Sequence, residues 1–310
     1  MSSDTSSILY QKIGVTISKV ALSLLSKSAG DRIPPISYYE EEYGVSRGTI
    51  QNALKHLKEA GAIELSVHGH MGTFIETIDY KKLQENCLRQ ELLGIMPLPY
   101  SLTYEGFATA IYEQLKGFKF NMAYARGAEG RIKLVSSGTY QFAVCSEYAA
   151  ECAVAEGRDI EVVLNFGSGS FLSKHVLLLR DGGQTGIEDG MRVAYDADSL
   201  DQSGITRSLI KGKQVELVEI RTQQTISALT EGSIDAGVWN YDDIAEKHNL
   251  GDLHVVFLDE EMYDSRFATA VIVIQKDNAY LKDFLEKNIS REYTLAILDE
   301  VRSKKRMPYF

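Results

Sequence analysis

The first sixty residues of the chain carry apolar side chains at the spacing of one helix face. In residues 47–59, apolar positions recur every three or four residues among small and polar ones. The members of this stripe are Ile50, Ala53, Leu54 and Leu57. The pattern predicts an amphipathic helix whose apolar stripe is buried and whose opposite face is exposed.

Serine and glycine positions predict where this helix and its neighbour begin and end. Ser37 and Glu40 have the spacing of a capping box, which predicts that a helix begins at Ser37. Gly44 can adopt the left-handed conformation that ends it, and Ser46 can cap the next helix. Gly61 then ends that second helix. Two helices joined by a tight turn are therefore expected.

A helix before this pair and a hairpin after it complete the pattern. The apolar stripe of the earlier helix consists of Ile13, Ile17, Val20, Ala21, Leu24 and Leu25. Two short apolar runs, at residues 62–67 and 73–75, are joined through the turn sequence HGHMG, which predicts a two-stranded wing. These elements are those of a winged helix-turn-helix, so DNA is the first partner to consider.

The exposed face of the predicted second helix of the pair is rich in hydrogen-bond donors. Arginine can pair with guanine, and glutamine or asparagine with adenine, at base edges in the major groove. The candidate DNA-binding residues are Arg47, Gly48, Thr49, Gln51, Asn52, Lys55, His68 and His70. The two wing histidines have no third or fourth ligand near them in sequence, so we expect no metal site there.

The segment GVSRGTIQNALKHLKEAGAIE, followed by GHMGTFI, resembles the core of GntR-type bacterial winged helices. The similarity extends back to about Leu9 and implies a DNA-binding head. Ser37 and Gln51 depart from the family pattern, because that family usually carries arginine at both positions. Loss of these arginines should weaken contacts with phosphates or bases.

The charge of the head also limits its affinity for DNA. Residues 1–75 hold seven Lys or Arg and seven Asp or Glu, so the head lacks the basic surface of a strong nucleic-acid binder. Useful affinity is therefore expected from two heads that bind an inverted repeat at once. A head used only for protein interaction or dimerisation is the alternative.

Composition places the rest of the chain in an acidic, non-membrane class. The net charge of the 310 residues is −10, and the excess lies after residue 75. No run approaches the roughly 20 apolar residues that cross a bilayer, and the first residues lack an export-signal pattern. We therefore expect a cytoplasmic protein. Cys87, Cys145 and Cys152 form no C-x-x-C pair, which predicts reduced thiols.

From Gly94 onwards, short apolar runs alternate with helical segments, which predicts α/β architecture. The predicted strands are residues 95–98, 119–124, 142–145, 160–164, 176–179, 192–195, 215–220, 236–239, 253–258 and 269–274. Residues 77–93 before them are charged, with apolar residues four positions apart, which predicts a connecting helix.

An internal repeat indicates two similar lobes. VSSGTYQFAVCS, at residues 135–146, and LTEGSIDAGVWN, at residues 229–240, share a helix end, a glycine, and a buried strand. The matching pairs are Gly138 with Gly232, Gln141 with Asp235, Val144 with Val238, and Ser146 with Asn240.

Polar residues follow the predicted strands, where ligands bind in open parallel sheets. The candidate ligand-binding residues are Tyr100, Ser101, Thr103, Ser146, Glu147, Ser168, Ser170, Asp198, Ser199, Trp239 and Asn240. Any such serine or aspartate can instead be a helix cap, and Trp239 can be a core residue. The GSGS run at residues 167–170 can equally be a hinge.

The chemistry of these candidates favours a small zwitterion. Hydroxyl and amide groups suit a carboxylate or a phosphate. The carboxylates of Glu147, Asp196 and Asp198 suit an ammonium group.

The second half resembles the type II periplasmic-binding-protein fold as reused in cytoplasmic regulators. The matching pieces, in chain order, are GIMPLPYS, the strand ending in Ser146, HVLLLRDG, GMRVAYD, SIDAGVWN and ATAVIVIQKD. With its GntR-like head, the whole chain resembles the YhfZ type of transcription regulator.

This resemblance implies a multidomain α/β protein with three parts. These are an N-terminal winged helix-turn-helix (residues 1–76), a connecting helix (77–93) and a two-lobed type II periplasmic-binding-protein-like α/β domain (94–310) that binds an effector. Lobe I would comprise residues 94–180 and 262–310, and lobe II residues 185–258.

A ligand-responsive transcription regulator is the favoured function. It would bind an inverted-repeat operator in double-stranded DNA as a homodimer and respond to a small-molecule effector. The alternative is a cytoplasmic enzyme that uses the two-lobed cleft. No Ser/His/Asp set, metal-ligand cluster or phosphate loop has suitable spacing, so we expect no catalytic residue, cofactor or metal. A transport binding protein is disfavoured because no export signal precedes the fold.

Overall fold

A computed structural model describes residues 3–87, 91–247, 250, 252–258 and 263–310 of the chain. The chain forms two compact units. The first contains Met1–Leu92, Gln114–Asn121 and Ala279–Asn288, and the second contains Leu93–Glu113, Met122–Asn278 and Ile289–Phe310. Across the described residues, we find no helix long and apolar enough to span a bilayer.

The first unit contains the winged helix-turn-helix, which confirms the elements expected from the sequence. Its elements are α1 (Ser3–Leu24), α2 (Ile36–Tyr43), α3 (Arg47–Glu59), β1 (Ile63–Val67), β2 (Thr73–Ile78) and α4 (Tyr80–Glu85). Strands β1 and β2 pair antiparallel as the wing, and a 3₁₀ turn at Gly69–Met71 joins them. The four apolar residues expected on the inner face of α3 are all buried.

Three of the four expected helix boundaries are confirmed. Gly44 ends α2 in the left-handed conformation (φ 61°), and Gly61 follows α3 in the same conformation (φ 66°). The hydroxyl of Ser46 caps α3 by accepting a hydrogen bond from the amide of Thr49 (3.4 Å). Local chemistry therefore sets these three boundaries.

The expected capping box at Ser37 is wrong. Helix α2 begins at Ile36, and Pro35 is its N-cap, with no side-chain hydrogen bond to the helix. The carbonyl of Pro35 already accepts a hydrogen bond from the amide of Tyr38 (3.0 Å). Because the proline ring fixes φ near the helical value, it starts the helix one residue before Ser37 could cap it.

The connecting helix is shorter than expected from residues 77–93. Helix α4 covers only Tyr80–Glu85, and Asp79 caps it through the amide of Lys82 (3.1 Å). Residues 88–90 lie outside the described residues, and Leu92 already belongs to a strand.

Ten strands follow in the part of the chain that the structure describes, and each overlaps one of the ten predicted runs. They are β3 (Leu92–Met96), β4 (Phe120–Tyr124), β5 (Phe142–Ser146), β6 (Ile160–Asn165), β7 (His175–Leu179), β8 (Arg192–Tyr195), β9 (Glu216–Glu219), β10 (Ala236–Asn240), β11 (His254–Phe257) and β12 (Ala270–Gln275). The helices between and after them are α5 (Leu102–Gln114), α6 (Ala128–Ser136), α7 (Glu147–Ala155), α8 (Leu200–Leu209), α9 (Thr225–Thr230), α10 (Tyr241–Lys247), α11 (Ala279–Asn288) and α12 (Arg291–Arg302).

These strands form two mixed sheets of five strands each. The first sheet has the order β4-β3-β5-β12-β6, in which β3 and β5 run parallel and β12 runs antiparallel to both β5 and β6. The second has the order β11-β7-β10-β8-β9, in which β8 runs parallel to β9 and β10. We call the first sheet and its helices lobe I, and the second sheet and its helices lobe II.

One strand belongs to a different lobe than expected. Residues 94–180 were assigned to lobe I, but β7 (His175–Leu179) lies in lobe II, where it pairs antiparallel with β10 and β11. Every residue of β7 is buried. A strand that is buried along its whole length belongs inside a sheet with both faces covered, and its place between β10 and β11 satisfies that requirement.

The internal repeat corresponds to equivalent hydrogen bonds in the two lobes. The side chain of Gln141 accepts a hydrogen bond from the amide of Leu93 (2.8 Å) in lobe I. In lobe II, the side chain of Asp235 accepts one from the amide of Arg192 (2.9 Å). Each side chain thus ties the turn before its buried strand to the neighbouring parallel strand.

Two glycines, one before α3 and one within it, should change the stability in opposite directions when replaced by alanine. At Gly44, alanine must adopt a left-handed φ, so we expect Gly44→Ala to lower the free energy of unfolding by about 1 kcal/mol. At Gly48, which is helical with open space around the α-carbon, we expect Gly48→Ala to raise it by up to about 1 kcal/mol. Urea denaturation measures both. Equal effects would contradict the assigned backbone conformations.

Candidate functional site

Helix α3 presents the predicted DNA-reading residues on one exposed face. Arg47, Gly48, Gln51, Asn52 and Lys55 are exposed. The sixth predicted residue of this helix, Thr49, is half-buried, and its hydroxyl lies 2.9 Å from that of Ser46. The face therefore offers guanidinium, amide and ammonium donors to a groove without disturbing the helix core.

The wing exposes both predicted histidines at its tip. His68 packs edge-on against Phe74, with ring centroids 5.3 Å apart, and its Nε2 lies 3.0 Å from the hydroxyl of Ser66. Val67 and Met71 are exposed beside His70. Among the residues described, no group of three or more His, Cys, Asp or Glu is placed to hold a metal ion.

A cleft that is partly open to solvent lies in the second unit between lobes I and II. Its lining combines carboxylates, guanidinium groups and aromatic rings. The lining residues are Pro97, Leu98, Tyr100, Tyr104, Arg126, Gly127, Ala128, Arg131, Phe171, Leu172, His175, Asp196, Ser199, Leu200, Asp201, Gln202, Thr222, Gln223 and Asn240.

Arg131 brings a buried positive charge to the cleft wall. Only 3% of the residue is exposed, and burial lowers the pKa of its guanidinium. Nε donates to the carbonyl of Val144 (3.3 Å) and Nη1 to that of Ala125 (2.8 Å). No carboxylate of the described chain lies within 4.0 Å of the guanidinium. A buried guanidinium whose hydrogen bonds go to neutral carbonyls, with Asp201 acting on it only from a longer distance, favours an anionic ligand group.

Asp201 is a buried carboxylate that joins the two lobes. It lies in the first turn of α8 in lobe II, and its Oδ1 accepts a hydrogen bond from the hydroxyl of Ser146 at the end of β5 in lobe I (2.5 Å). Burial raises the pKa of Asp201 to about 7, against the opposing effects of the Ser146 hydrogen bond and the Arg131 charge. The carboxyl group therefore titrates near neutral pH.

A second contact between the lobes lies at the cleft rim. The guanidinium of Arg126, two residues after β4, lies 3.9 Å from the carboxylate of Asp196 and 3.8 Å from that of Asp198. Asp196 also accepts hydrogen bonds from the amide (2.7 Å) and hydroxyl (2.9 Å) of Thr222. Ion pairs this long and partly exposed contribute little stability, so Arg126 remains able to bind a ligand.

Asn240 supplies a hydrogen-bond donor that the described protein does not use. The residue is 3% exposed and lines the cleft at the end of β10. Its Oδ1 accepts from the amide of Asp242 (2.9 Å), whereas its buried Nδ2 has no hydrogen-bond partner within the described part of the chain. Since buried donors are almost always paired in folded proteins, a ligand acceptor is the natural partner of this amide.

Four of the residues singled out from the sequence line the cleft, and most of the others make contacts elsewhere. Those in the lining are Tyr100, Asp196, Ser199 and Asn240. Ser146 lies behind the wall, bonded to Asp201. The predicted ligand residues outside the lining are Ser101, Thr103, Glu147, Ser168, Ser170, Asp198 and Trp239.

The contacts of these residues explain why they do not reach the cleft. Ser101 accepts from the amide of Tyr104 (3.4 Å) as a helix cap, Thr103 accepts from Arg302 (3.0 Å), and Ser170 accepts from the amide of Ala270 (2.9 Å). Glu147 accepts from Asn165 (2.7 Å). Trp239 is a lobe II core residue that donates to Asp243 (3.0 Å), which is the alternative left open by the sequence.

Sequence reasoning missed the charged residues that matter most in the cleft. Arg126 could have been predicted from the sequence, because polar residues just after strands were the candidates and Arg126 follows the predicted strand at residues 119–124 by two positions. Arg131, His175 and Asp201 lie inside a helix or a strand, where only the packing shows which side chains face the cleft.

Both halves of the chain match known protein families. A family model described as the YhfZ C-terminal domain matches residues 79–310, and one described as a helix-turn-helix domain matches residues 28–75. The "Uncharacterized protein YhfZ" of Escherichia coli (strain K12) is 29% identical over 300 residues, which cover 97% of this chain and 98% of that protein.

Solved structures show the same fold. The crystal structure of YhfZ from Shigella flexneri superposes with a TM-score of 0.62 at 27% identity, covering 74% of this chain and 97% of its own. The amino acid ABC transporter substrate-binding protein AbpA from Streptococcus pneumoniae, bound to L-arginine, gives a TM-score of 0.51 at 15% identity, covering 69% and 93%. The second half thus has a periplasmic-binding-protein-like fold.

The raised pKa of Asp201 predicts a specific dependence of stability on pH. Folded Asp201 holds its proton up to about pH 7, whereas the unfolded chain releases it near the ordinary value of 3.8. The folded state therefore binds more protons between these values, and the free energy of unfolding falls as pH rises through that window. Asp201→Asn removes this dependence.

We expect wild type to lose roughly 1 kcal/mol or more of stability relative to Asp201→Asn between pH 5 and pH 8. Urea denaturation at four pH values measures it. Asp198→Asn, at an exposed aspartate of the rim, is the matched control and should follow wild type. If the free energy of unfolding changed with pH by the same amount in wild type and Asp201→Asn, the raised pKa of Asp201 would be contradicted.

Proposed function

We propose, from the premise that this chain belongs to the YhfZ family, that it is a DNA-binding transcription regulator controlled by a small polar metabolite. The head would read an inverted-repeat operator in double-stranded DNA as part of a GntR-like homodimer in the cytoplasm. The cleft between the lobes would hold the effector. The amide of Asn240 that has no partner among the described residues, in the same cleft as the buried guanidinium of Arg131, is the observation that carries the effector assignment.

The head supports DNA recognition through shape more than through charge. Helix α3 exposes Arg47, Gln51 and Asn52 on one face, and these side chains match guanine and adenine edges. Because residues 1–75 carry equal numbers of basic and acidic side chains, one head should bind DNA weakly. Two heads on one inverted repeat supply the missing affinity.

The cleft supports a zwitterionic or anionic effector. Arg131 and Arg126 offer guanidinium groups to a carboxylate, and Asn240 offers an amide donor. On the lobe II side, Asp196 is a carboxylate that suits an ammonium group, and Asp201 becomes a second one above its pKa of about 7. A small molecule with both charges, such as an amino acid, would satisfy both sets of groups at once.

His175 favours binding over catalysis in this cleft. Burial lowers the pKa of its imidazole to about 3, so the ring is neutral and weakly basic at neutral pH. Its Nδ1 lies 3.0 Å from the hydroxyl of Tyr263. A general base needs a pKa near the working pH, which this histidine does not have.

The DNA assignment predicts protection of an inverted repeat in DNA that flanks the chain's own gene. Footprinting at moderate salt should show two half-sites, and Arg47→Ala or Gln51→Ala should weaken binding by roughly tenfold or more, as loss of a base contact does. Lys211→Ala, at an exposed lysine after α8 in lobe II, should bind like wild type. Absence of protection under every ligand condition would exclude the assignment.

The effector assignment predicts a thermal shift with amino acids or related carboxylates. A ligand present at a hundred times its dissociation constant should stabilise the fold by about 2.7 kcal/mol. Asn240→Asp should abolish the shift, because it replaces the orphan donor by an oxygen and keeps the acceptor for Asp242. Ser168→Ala, at an exposed residue outside the cleft, should keep it. Retention of the shift in Asn240→Asp would refute the site.

A further inference from the structure

The compact unit that holds the winged helix also contains two pieces of chain from the effector half. They are Gln114–Asn121, which leads into β4, and α11 (Ala279–Asn288), which follows β12. Both pieces lie far from the head in sequence. Within this unit the head therefore packs against these two pieces, and it does so through side-chain contacts of the described residues.

The first contact is a pair of hydrogen bonds between Gln84 of α4 and the main chain of Lys119. The Oε1 atom of Gln84 accepts from the amide of Lys119 (2.6 Å), and its Nε2 donates to the carbonyl of the same residue (3.1 Å). Gln84 is only 4% exposed. A buried side chain that satisfies both main-chain groups of one residue fixes that residue's position closely.

The second contact is an aromatic cluster between α4, the turn before β4, and α11. Tyr80 packs on Phe118 with centroids 5.0 Å apart, and Phe118 packs edge-on against Phe284 at 4.7 Å. Phe118 and Phe284 are both buried. Aromatic pairs in these geometries stabilise beyond the area they bury.

Polar groups extend this contact along the other side of the head. The hydroxyls of Tyr43 at the end of α2 and Tyr280 at the start of α11 lie 2.9 Å apart. The ammonium group of Lys287 donates to the carbonyl of Ser26 (2.7 Å) and lies 3.6 Å from the carboxylate of Asp31. Both ends of α11 thus bind the winged helix.

The two pieces continue directly into strands whose other ends belong to the cleft. Lys119 immediately precedes β4, and Arg126, two residues beyond that strand, lines the cleft. Helix α11 follows β12, whose first residue, Ala270, pairs with Ser146. Ser146 in turn donates to Asp201 in the cleft wall. One continuous strand therefore links each piece to a residue at or behind the cleft wall.

We propose that Gln84, Phe118 and Phe284 form a transmission contact through which the state of the cleft alters the DNA-binding head. This inference rests on the proposed function for its biological meaning, because it names how the effector site regulates the head. Two segments would connect the cleft to the head: β4, which leads to Lys119, and β12, which leads to α11. The transmission contact is where both routes enter the head.

Hydrogen exchange measured by mass spectrometry on the full chain tests this route without DNA or ligand. Arg126→Ala removes both rim ion pairs and serves as the perturbation at the cleft, with Ser146→Ala as a second, independent perturbation. We expect either variant to change exchange in the head segment that contains α4 by roughly threefold or more. When either perturbation is added to Gln84→Ala, the hydrogen-exchange rate of that segment should stay the same as in Gln84→Ala alone.

Two control variants keep the test interpretable. Lys81→Ala, at an exposed neighbour of Gln84 on α4, should transmit the change as wild type does. If Gln84→Ala fails to fold by circular dichroism, Phe284→Leu breaks the ring contact and keeps an apolar side chain. The proposal would be overturned if both perturbations changed hydrogen exchange only in the lobes. It would also be overturned if the change reached the α4 segment as strongly in the Gln84→Ala and Phe284→Leu backgrounds as in the wild-type background. If only the proposed function were wrong, no DNA would be protected in footprinting, while the perturbations would still change hydrogen exchange in the α4 segment.

Discussion

The hydrogen bond between the hydroxyl of Ser146 and the carboxyl of Asp201 is the contact on which the cleft depends. Ser146 ends β5, caps α7 by accepting from the amide of Ala149 (3.1 Å), and donates to Asp201 of the other lobe (2.5 Å). One hydroxyl group has a single proton to donate and lone pairs to accept. Ser146 uses both functions, so the end of the central strand of lobe I, the start of α7 and the opposite lobe meet at one atom.

Two further groups in the cleft wall are buried without a full set of partners. Arg131 keeps a guanidinium in the wall with only carbonyl partners, and Asn240 keeps a buried amide donor with none among the described residues. Both conditions cost free energy in the folded chain. Ligand acceptor atoms would offset that cost, and this is the physical basis of the carboxylate-bearing effector that we propose.

Local patterns predicted the architecture well, because strands and helix ends depend on neighbouring residues. The strands, the glycine at Gly44 and the cap at Ser46 were all predictable. The capping box at Ser37 failed because Pro35 has a stronger local effect. The cleft was predictable only in part: Asn240 follows a strand end, whereas Arg131 and Asp201 lie on helices whose orientation is set by packing between distant segments.

Reciprocal linkage between effector and DNA tests the central claim most directly. The affinity for operator DNA is measured with and without a metabolite that stabilises the chain, and the affinity for that metabolite is measured with and without DNA. Thermodynamic linkage requires one factor in both directions, and a regulator of this kind should give a factor of about 5 to 150. A metabolite that binds in the cleft while DNA affinity stays unchanged would contradict the account.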